Sequence, residues 1–325
     1  MTATHREVRL AARPQGPLGP EHFSVVEVPV PRPGPGQLLV RNRLMAVSAV
    51  MRSLMGDPGS LPMPAFRVGE ALFGHVVGEV VGTGELVEHR AGWREYAVVD
   101  EAGVRPIVPG VLPDPAAYLS QGWFAWLGVV RAAQVRPGDT VFVSGATGGV
   151  GSMAGQVARL RGAGRVIGST GSPEKAKRLV GELGYDAVVL RGPGGFEERL
   201  REAAPDGIDV LFDNVGGEQL LAALAVARRE ARFALVGALA GQLGGTGTTV
   251  ELDTLDLISR GITLRGIAGI DHLATREEWN TVFGRGLRDG TLSFPHVRLQ
   301  GIEDAPRALC ELVQGRHLGA VLVEL

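Results

Sequence analysis

Cysteine is almost absent from this sequence, which contains one, Cys310, among 325 residues. A single cysteine excludes an internal disulfide and a cysteine-rich structural zinc site. No run approaches about 18 uncharged apolar residues, and the first ten residues lack an apolar signal core. The formal net charge is only −2. We therefore expect a cytoplasmic protein with neither a nucleic-acid partner nor a membrane partner.

Lysine is also scarce, since Lys175 and Lys177 are the only two and arginine supplies the other basic residues. Glycine, by contrast, is abundant: the 48 glycines are roughly twice the usual frequency and fall mostly at turns between apolar segments. The length is sufficient for two domains or one large one.

The most informative stretch, residues 139–177, has the pattern strand, glycine turn, helix, strand. Residues 140–144 form a short apolar run typical of a buried parallel strand, and residues 165–170 form a second. Between them, three glycines recur at three-residue spacing: Gly145, Gly148 and Gly151. Such a turn lets the backbone approach a pyrophosphate at the N-terminus of the helix. The pattern predicts a dinucleotide site, with a purely structural turn as the alternative.

The end of the second strand indicates which dinucleotide is bound. NAD-preferring sites usually place an acidic residue there to bind the ribose 2′-hydroxyl. Here residues 168–172 read GSTGS, and no acid precedes Glu174. Small residues leave room for a phosphate, and Lys175 stands in the first turn of the next helix to pair with it. This favours NADP(H), although Lys175 on a merely solvated helix face is the alternative.

Hydrophobic patterning divides the chain into three parts. Residues 1–115 are β-rich, with short apolar runs separated by Pro/Gly clusters. Residues 116–285 alternate strands and amphipathic helices, which predicts a doubly wound parallel sheet. Residues 286–325 contain a strand, a helix and a closing strand. The fold class is therefore α/β.

Several segments carry a family resemblance: PGPGQLLVR at 33–41, MR at 51–52, GEALFGHVVGEVVG at 69–82, GWREYAVV at 92–99, RPGDTVFVSGATGGVGS at 136–152, GSPEK at 171–175, FDNVGGE at 212–218 and QGRHLGAVLV at 314–323. Together they resemble the medium-chain dehydrogenase/reductase superfamily, and within it the zinc-free branch of prostaglandin reductases and alkenal double-bond reductases. FDNVGGE is the most branch-specific of these motifs.

The resemblance implies a fold and an assembly. A catalytic domain of GroES-like fold, built from residues 1–115 and 286–325, would surround a Rossmann domain at 116–285 that binds NADP(H). The substrate cleft would lie between the domains, and the protein would be a homodimer. Zinc members of the superfamily carry an early cysteine and a His–Glu pair, whereas this chain has no early cysteine and has Glu70 and Ala71 at the pair's place. We therefore expect no metal.

The resemblance also implies cofactor-binding positions. The glycine turn would contact the pyrophosphate, Lys175 and Arg191 the 2′-phosphate, and Asn214 the ribose or nicotinamide side. The full set of implied positions is Thr147, Gly148, Gly149, Val150, Gly151, Thr170, Lys175, Arg191, Asn214, Gly237, Ala268 and His317. Arg191 replaces a family tyrosine but is suited to phosphate; a solvated loop arginine is the alternative. An Asx turn at Asn214 is compatible with its cofactor role.

The substrate side departs further from the family. The family has a tyrosine that helps to hold the substrate oxygen, and this chain has Ile270 at that position. Proton delivery would then pass to Asp271, His272 or water. We take Ile270, Asp271 and His272 as the candidate catalytic positions. An Asp-Pro-Tyr before the MR motif reads Ser48-Ala49-Val50. The candidate substrate residues are Val50, Met51, Phe73, Trp93 and Trp126, with core packing as the alternative for each aromatic.

These observations predict an NADPH-dependent reductase that transfers hydride to the β-carbon of an α,β-unsaturated carbonyl compound, without metal. An enzyme of specialised metabolism would fit the altered substrate side. One alternative is an NADPH:quinone reductase, which needs fewer contacts to oxygen. The other is an NADP(H)-binding protein with a redox-neutral biosynthetic or sensing role. A serine hydrolase is poorly supported, because no GxSxG elbow occurs where a strand meets a helix.

Overall fold

A computed structural model describes residues 3–56, 61, 63–244 and 249–325. The chain divides into a first unit, Met1–Ser120 with His296–Leu325, and a second unit, Gln121–Pro295. The sequence pattern places the two boundaries at residues 115 and 285.

Strands and helices are numbered along the chain. The strands are β1 (Thr4–Leu10), β2 (Phe23–Pro29), β3 (Gln37–Val47), β4 (Val76–Val80), β5 (Leu86–His89), β6 (Tyr96–Asp100), β7 (Arg105–Pro106), β8 (Thr140–Val143), β9 (Arg165–Thr170), β10 (Ala187–Leu190), β11 (Ile208–Asp213), β12 (Ala227–Leu235), β13 (Thr263–Gly266), β14 (His296–Gln300) and β15 (Ala320–Glu324). The helices are α1 (Val50–Leu54), α2 (Gly122–Trp126), α3 (Gly151–Leu160), α4 (Pro173–Leu183), α5 (Phe196–Ala203), α6 (Gly217–Ala225), α7 (Leu239–Gly244), α8 (Thr254–Arg260), α9 (Arg276–Asp289) and α10 (Ala305–Val313).

Both ends of the chain contribute to one sheet in the first unit. Its order is β14-β15-β3-β4-β5-β7, β6 also pairs with β3, and β1 and β2 form a separate hairpin. The C-terminal strand β15 pairs antiparallel with β3, so that Val321 lies opposite Val47. This arrangement confirms the prediction of a β-rich domain built from both termini.

The second unit contains a six-stranded sheet of order β10-β9-β8-β11-β12-β13. Every pairing in it is parallel. In chain order this is 3-2-1-4-5-6, the arrangement of doubly wound dinucleotide-binding sheets. The strand order reverses between β8 and β11, and ligands of such sheets bind outside the carboxyl ends of the strands at this point. The prediction of a Rossmann domain is confirmed.

Local sequence explains how α4 begins and ends. Ser172 is the N-cap, and its hydroxyl accepts a hydrogen bond of 3.2 Å from the amide of Lys175. Pro173 occupies the first turn, where its missing N–H costs nothing. Gly184 ends the helix in the left-handed region, with φ of 69°. These caps fix Lys175 in the first turn, directly after β9.

The strand bounds agree with the sequence pattern where the strand is apolar. Residues 165–170 are predicted as a strand and form β9. By contrast, the sequence pattern predicts a strand at residues 232–236, whereas β12 begins earlier, at Ala227. Its first residues, ARRE, are mostly charged and largely exposed, so no apolar pattern marks them.

In the part of the chain that the structure describes, no helix combines the length and apolar composition needed to span a bilayer.

Candidate functional site

The glycine turn after β8 is held against the end of β9. The amide of Gly145 donates to the hydroxyl of Ser169 at 2.9 Å, and the amide of Ala146 donates to the carbonyl of Ser169 at 3.0 Å. Gly145 itself has φ of 60°, which favours glycine. A Cβ on Gly151 would overlap the carbonyl oxygen of Gly145, so only glycine allows this approach of helix to turn. The first turn of α3 is thereby presented at the carboxyl edge of the sheet, where its amides and dipole favour an anion.

Other predicted cofactor residues follow the remaining strands at the same edge. Thr170 ends β9, Arg191 follows β10, Asn214 follows β11, Gly237 comes two residues after β12, and Ala268 comes two residues after β13. Because the carboxyl ends of parallel strands lie at one edge, the sheet places these residues along the crevice where dinucleotides bind. The hydroxyls of Thr147 and Thr170 lie 3.4 Å apart, which joins the glycine turn to the end of β9.

Two cations lie near each other beyond β9. A Cβ on Gly171 would lie 3.1 Å from Nη2 of Arg191, so the guanidinium reaches the backbone between β9 and α4. Burial lowers the pKa of Lys175; Glu174 opposes the shift, and the like charges of Arg178 and Arg191 add to it. An anion between the Lys175 and Arg191 side chains would relieve this repulsion. Arg191 itself is exposed.

A buried network sets the loop that carries Asn214. The Ser144 hydroxyl donates to the Asp213 carboxylate at 2.5 Å, and Asp213 also accepts from the amides of Val215 and Gly216 at 3.0 Å. Ser144 in turn accepts from the amide of Asn214 at 2.8 Å through its hydroxyl, and from the Asn214 side-chain amide at 2.8 Å through its carbonyl. Ser144 was not among the site residues predicted from the sequence. Its signal was a polar residue at the end of an apolar strand.

Close backbone packing explains the glycine after β12. The amide of Gly237 donates to the carbonyl of Asp213 at 3.0 Å, and a Cβ on Gly237 would lie 2.9 Å from the carbonyl oxygen of Asn214. The loop therefore packs directly on the loop after β11. A side chain at Gly237 would displace Asn214.

The three predicted catalytic residues lie in a 3-10 segment, Gly269–Thr275. Ile270 is 64% exposed, Asp271 is exposed and His272 is partly exposed. Two aromatic residues of α2 support this segment. The indole Nε1 of Trp123 donates to the Thr275 hydroxyl at 3.0 Å, and a Cβ on Gly269 would lie 2.7 Å from the ring of Phe124.

The predicted substrate residues of the first unit differ in exposure. Trp93 is completely buried and stacks on Phe23, with ring centroids 6.2 Å apart. Met51 is 4% exposed. Val50 and Phe73 are partly exposed. Burial favours the packing role for Trp93 and Met51, whereas Val50 and Phe73 keep surface that a ligand can contact.

Two further predicted residues have partners of their own. Trp126, in the second unit, is 5% exposed and lies 6.0 Å from Trp279 between ring centroids, which favours a packing role. His317, in the first unit, pairs with Glu311 of α10 at 2.9 Å between Nε2 and Oε2. This pair orients the His317 ring within its own unit.

Among residues 3–56, 61, 63–244 and 249–325, no three His, Cys, Asp or Glu side chains are close enough to hold a metal ion. Two cavities of about 300 and 350 Å³ lie in the first unit and share Glu7, Arg9 and Arg94 in their walls. Neither is lined by a predicted site residue. The strand-end edge of the second unit, where polar groups converge on a helix N-terminus, is therefore the candidate site.

Comparison with known proteins gives the family. Residues 149–285 match the family model described as zinc-binding dehydrogenase, and residues 6–107 match the N-terminal domain of oxidoreductase. The chain is 33% identical to the putative NADP-dependent oxidoreductase YfmJ of Bacillus subtilis, an alignment that covers 100% of this chain and 99% of that protein. It is 30% identical to the NADPH-dependent curcumin reductase of Escherichia coli, over 97% of this chain and 95% of the relative. The structure of CurA from Vibrio vulnificus in complex with NADPH superimposes with a TM-score of 0.89 at 29% identity, and 98% of each chain is covered.

Proposed function

Because the chain belongs to the medium-chain dehydrogenase/reductase family, we propose that it is an NADPH-dependent reductase of α,β-unsaturated carbonyl compounds. In this reaction the β-carbon of the substrate would receive a hydride, for which bound NADPH would be the source and NADP⁺ the second product, and the α-carbon would receive a proton. The observation that carries this proposal is the pair Lys175 and Arg191 beyond β9, at the 2′-phosphate end of a doubly wound sheet. Similarity along almost the whole chain to a curcumin reductase supports the substrate class.

The residues at the edge of the sheet fit the cofactor. Gly148, Gly149 and the first turn of α3 suit the pyrophosphate, because the backbone there is bare and the helix dipole is favourable. Lys175 and Arg191 suit the 2′-phosphate by charge. Asn214, whose side-chain amide is held by the Ser144 carbonyl, would contact the ribose or nicotinamide side. When bound, NADPH supplies the hydride, and the chain supplies orientation and electrostatic stabilisation.

On the substrate side, the protein must stabilise negative charge on the carbonyl oxygen and deliver one proton. We propose that Asp271 or His272, or water held by them, carries this proton, since both keep exposed surface in the 3-10 segment. Val50 and Phe73 would contact the apolar part of the substrate. The proposed chemistry requires no metal.

Ile270 favours a second candidate function. It stands where the family has an oxygen-binding tyrosine, and its exposed apolar side chain donates no hydrogen bond. A quinone needs fewer oxygen contacts than an enone, so an NADPH:quinone reductase is the alternative activity. A redox-neutral NADP(H)-binding protein would retain the edge of the second unit and use no hydride acceptor.

We further propose a cytoplasmic homodimer. In the described residues β13 pairs with β12 alone, which leaves one edge of the sheet for another strand. Leu255 and Ile258 of the neighbouring α8 are 71% and 75% exposed, an apolar surface that a second copy would cover. Replacing both with glutamate should convert the dimer to a monomer in analytical ultracentrifugation. A wild-type protein that sediments as a monomer would contradict the proposal.

The primary test is NADPH oxidation at 340 nm against enones, enals and quinones, with NADPH affinity titrated separately by fluorescence. We expect turnover with enones or enals and little with NADH. Turnover with quinones alone would favour the alternative reductase. Tight binding of NADPH without any turnover would favour the redox-neutral role.

A further inference from the structure

A tyrosine is buried beneath the glycine turn. Tyr185 lies between the Gly184 cap of α4 and strand β10, and its side chain is 2% exposed. Its hydroxyl donates to the carbonyl of Gly151 at 2.7 Å. Gly151 is the first residue of α3 and the glycine that packs on Gly145. A side chain from the connection between α4 and β10 therefore bonds directly to the start of the helix that faces the crevice.

Two further glycines make room for this ring. A Cβ on Gly155 would overlap the Tyr185 ring and hydroxyl from the α3 side, and a Cβ on Gly168 would lie 2.9 Å from the ring on the β9 side. The ring therefore packs closely between α3 and β9. Gly155, Gly168 and Tyr185 form a matched set, which a smaller residue at 185 would leave as a void.

The hydroxyl has a role beyond filling space. Burial raises the pKa of Tyr185, opposed by the backbone amide of Gly155, so the hydroxyl stays protonated and remains a donor. A buried hydroxyl requires a partner, and the partners here are Gly151 and Gly155 in the first turns of α3. The glycine turn that precedes α3 is fixed at its other end, where the Ser169 hydroxyl accepts from the amide of Gly145. The glycine turn is therefore fastened at both ends by buried side chains.

We propose that Tyr185 is a positioning residue for the cofactor: its hydroxyl fixes Gly151 and with it the amides that receive the pyrophosphate. The inference rests on the dinucleotide site of the proposed function and is independent of which acceptor takes the hydride. Pre-organised donors bind an anion more tightly than mobile ones, because no ordering cost accompanies binding.

The test uses Tyr185→Phe, which keeps the ring and removes the hydroxyl. We expect the Kd for NADPH, from fluorescence titration, to rise about tenfold, the effect of about one hydrogen bond. The Kd for NADH should rise by the same factor, because both cofactors carry the pyrophosphate. In the enzyme, KM for NADPH should rise with kcat unchanged at saturation. An unchanged Kd, with or without a lower Tm, would overturn the proposal.

Tyr118→Phe is the matched control. Its hydroxyl also donates to a backbone carbonyl, that of Val108 at 3.1 Å, but in the first unit. This variant should leave both Kd values unchanged. If Tyr185→Phe does not fold, hydrogen exchange of the wild-type protein decides: NADPH should protect peptides covering residues 149–155 and 183–187 together. Protection of the first peptide without the second would overturn the proposal. The Kd titrations and the hydrogen exchange involve no hydride acceptor, so a failure of the enone assay leaves these two readouts intact.

Discussion

The predicted cofactor residues of the second unit and the predicted substrate residues of the first are used differently by the fold. The former lie at strand ends or in the loops and first helical turns that follow them, and many, such as Gly148 and Arg191, keep exposed surface. Of the latter, Trp93 and Met51 are built into the core around Met45 and Val76. A site made by backbone geometry can be predicted from glycine spacing and strand order. An apolar pocket cannot be predicted in this way, because the same residue types fill cores and bind substrates.

The largest expected effect tests the core role of Trp93. Trp93→Ala should lower the free energy of unfolding by about 3–5 kcal/mol, the usual cost of emptying a large buried aromatic site. Phe73→Ala should cost less stability and raise KM for the enone instead. Urea denaturation and steady-state kinetics on both variants separate the roles. A Trp93→Ala protein of normal stability with a raised KM would make Trp93 a substrate residue after all.

Acid should destabilise the first unit through His89. Burial, reinforced by Arg94, lowers the pKa of His89 to about 4. Its Nδ1 lies 3.2 Å from the amide of Ala91 and accepts from it, so the folded state holds the neutral ring. The unfolded chain, with a pKa near 6.5, takes up the proton first, so stability is full above about pH 6.5 and falls until about pH 4, by about 3 kcal/mol in all.

Hydrogen exchange at pH 7 and pH 5 checks this expectation unit by unit. Peptides around β5 should lose protection on acidification, while those around β8 and β9 change little. In His89→Gln the difference between the two pH values should shrink. Equal loss in both units, or no change in the variant, would assign the acid sensitivity to other groups.

The glycine turn should tolerate no side chain at Gly151. Gly151→Ala should weaken NADPH binding by at least about 100-fold, because its Cβ overlaps Gly145 and forces helix and turn apart. Gly148→Ala sharpens the comparison: its Cβ would lie 3.6 Å from the Gly145 carbonyl, so the variant should fold normally and lose affinity only where a phosphate approaches. Gly181→Ala on α4, where a Cβ meets nothing within 4 Å, is the control and should bind normally. Fluorescence titration of all three, with circular dichroism for folding, measures these effects.

The same distinction, between sites made by backbone geometry and pockets made by apolar side chains, explains which parts of the structure could be predicted from the sequence. The sheet of the second unit was predictable because largely buried strands such as β8 are short apolar runs, and the predicted bounds of β9 match the observed ones. The start of β12 was not, since its charged residues carry no pattern. Ser144 and Tyr185 were missed as site residues because their roles depend on contacts between strands and helices far apart in the chain. Local spacing carries no record of such contacts.

The smallest expected effect concerns Lys175. Lys175→Ala should raise the Kd for NADPH about tenfold and leave that for NADH nearly unchanged, because only NADPH carries the 2′-phosphate. Lys177→Ala, the other lysine, lies on an exposed face of α4 and is the matched control, with no expected change.

The pH dependence of binding sharpens this prediction. The pKa of Lys175 is lowered in the free protein, first by burial, and a bound phosphate would raise it again. A group whose pKa rises on binding favours the complex while it is protonated, so NADPH affinity should fall as the pH rises through the lowered pKa. Lys175→Ala should remove this alkaline loss of affinity, whereas Arg191→Ala, which keeps Lys175, should weaken binding and retain the alkaline loss. An equal effect of Lys175→Ala on NADPH and NADH would instead place its role in the stability of α4, and would move the 2′-phosphate away from the end of β9.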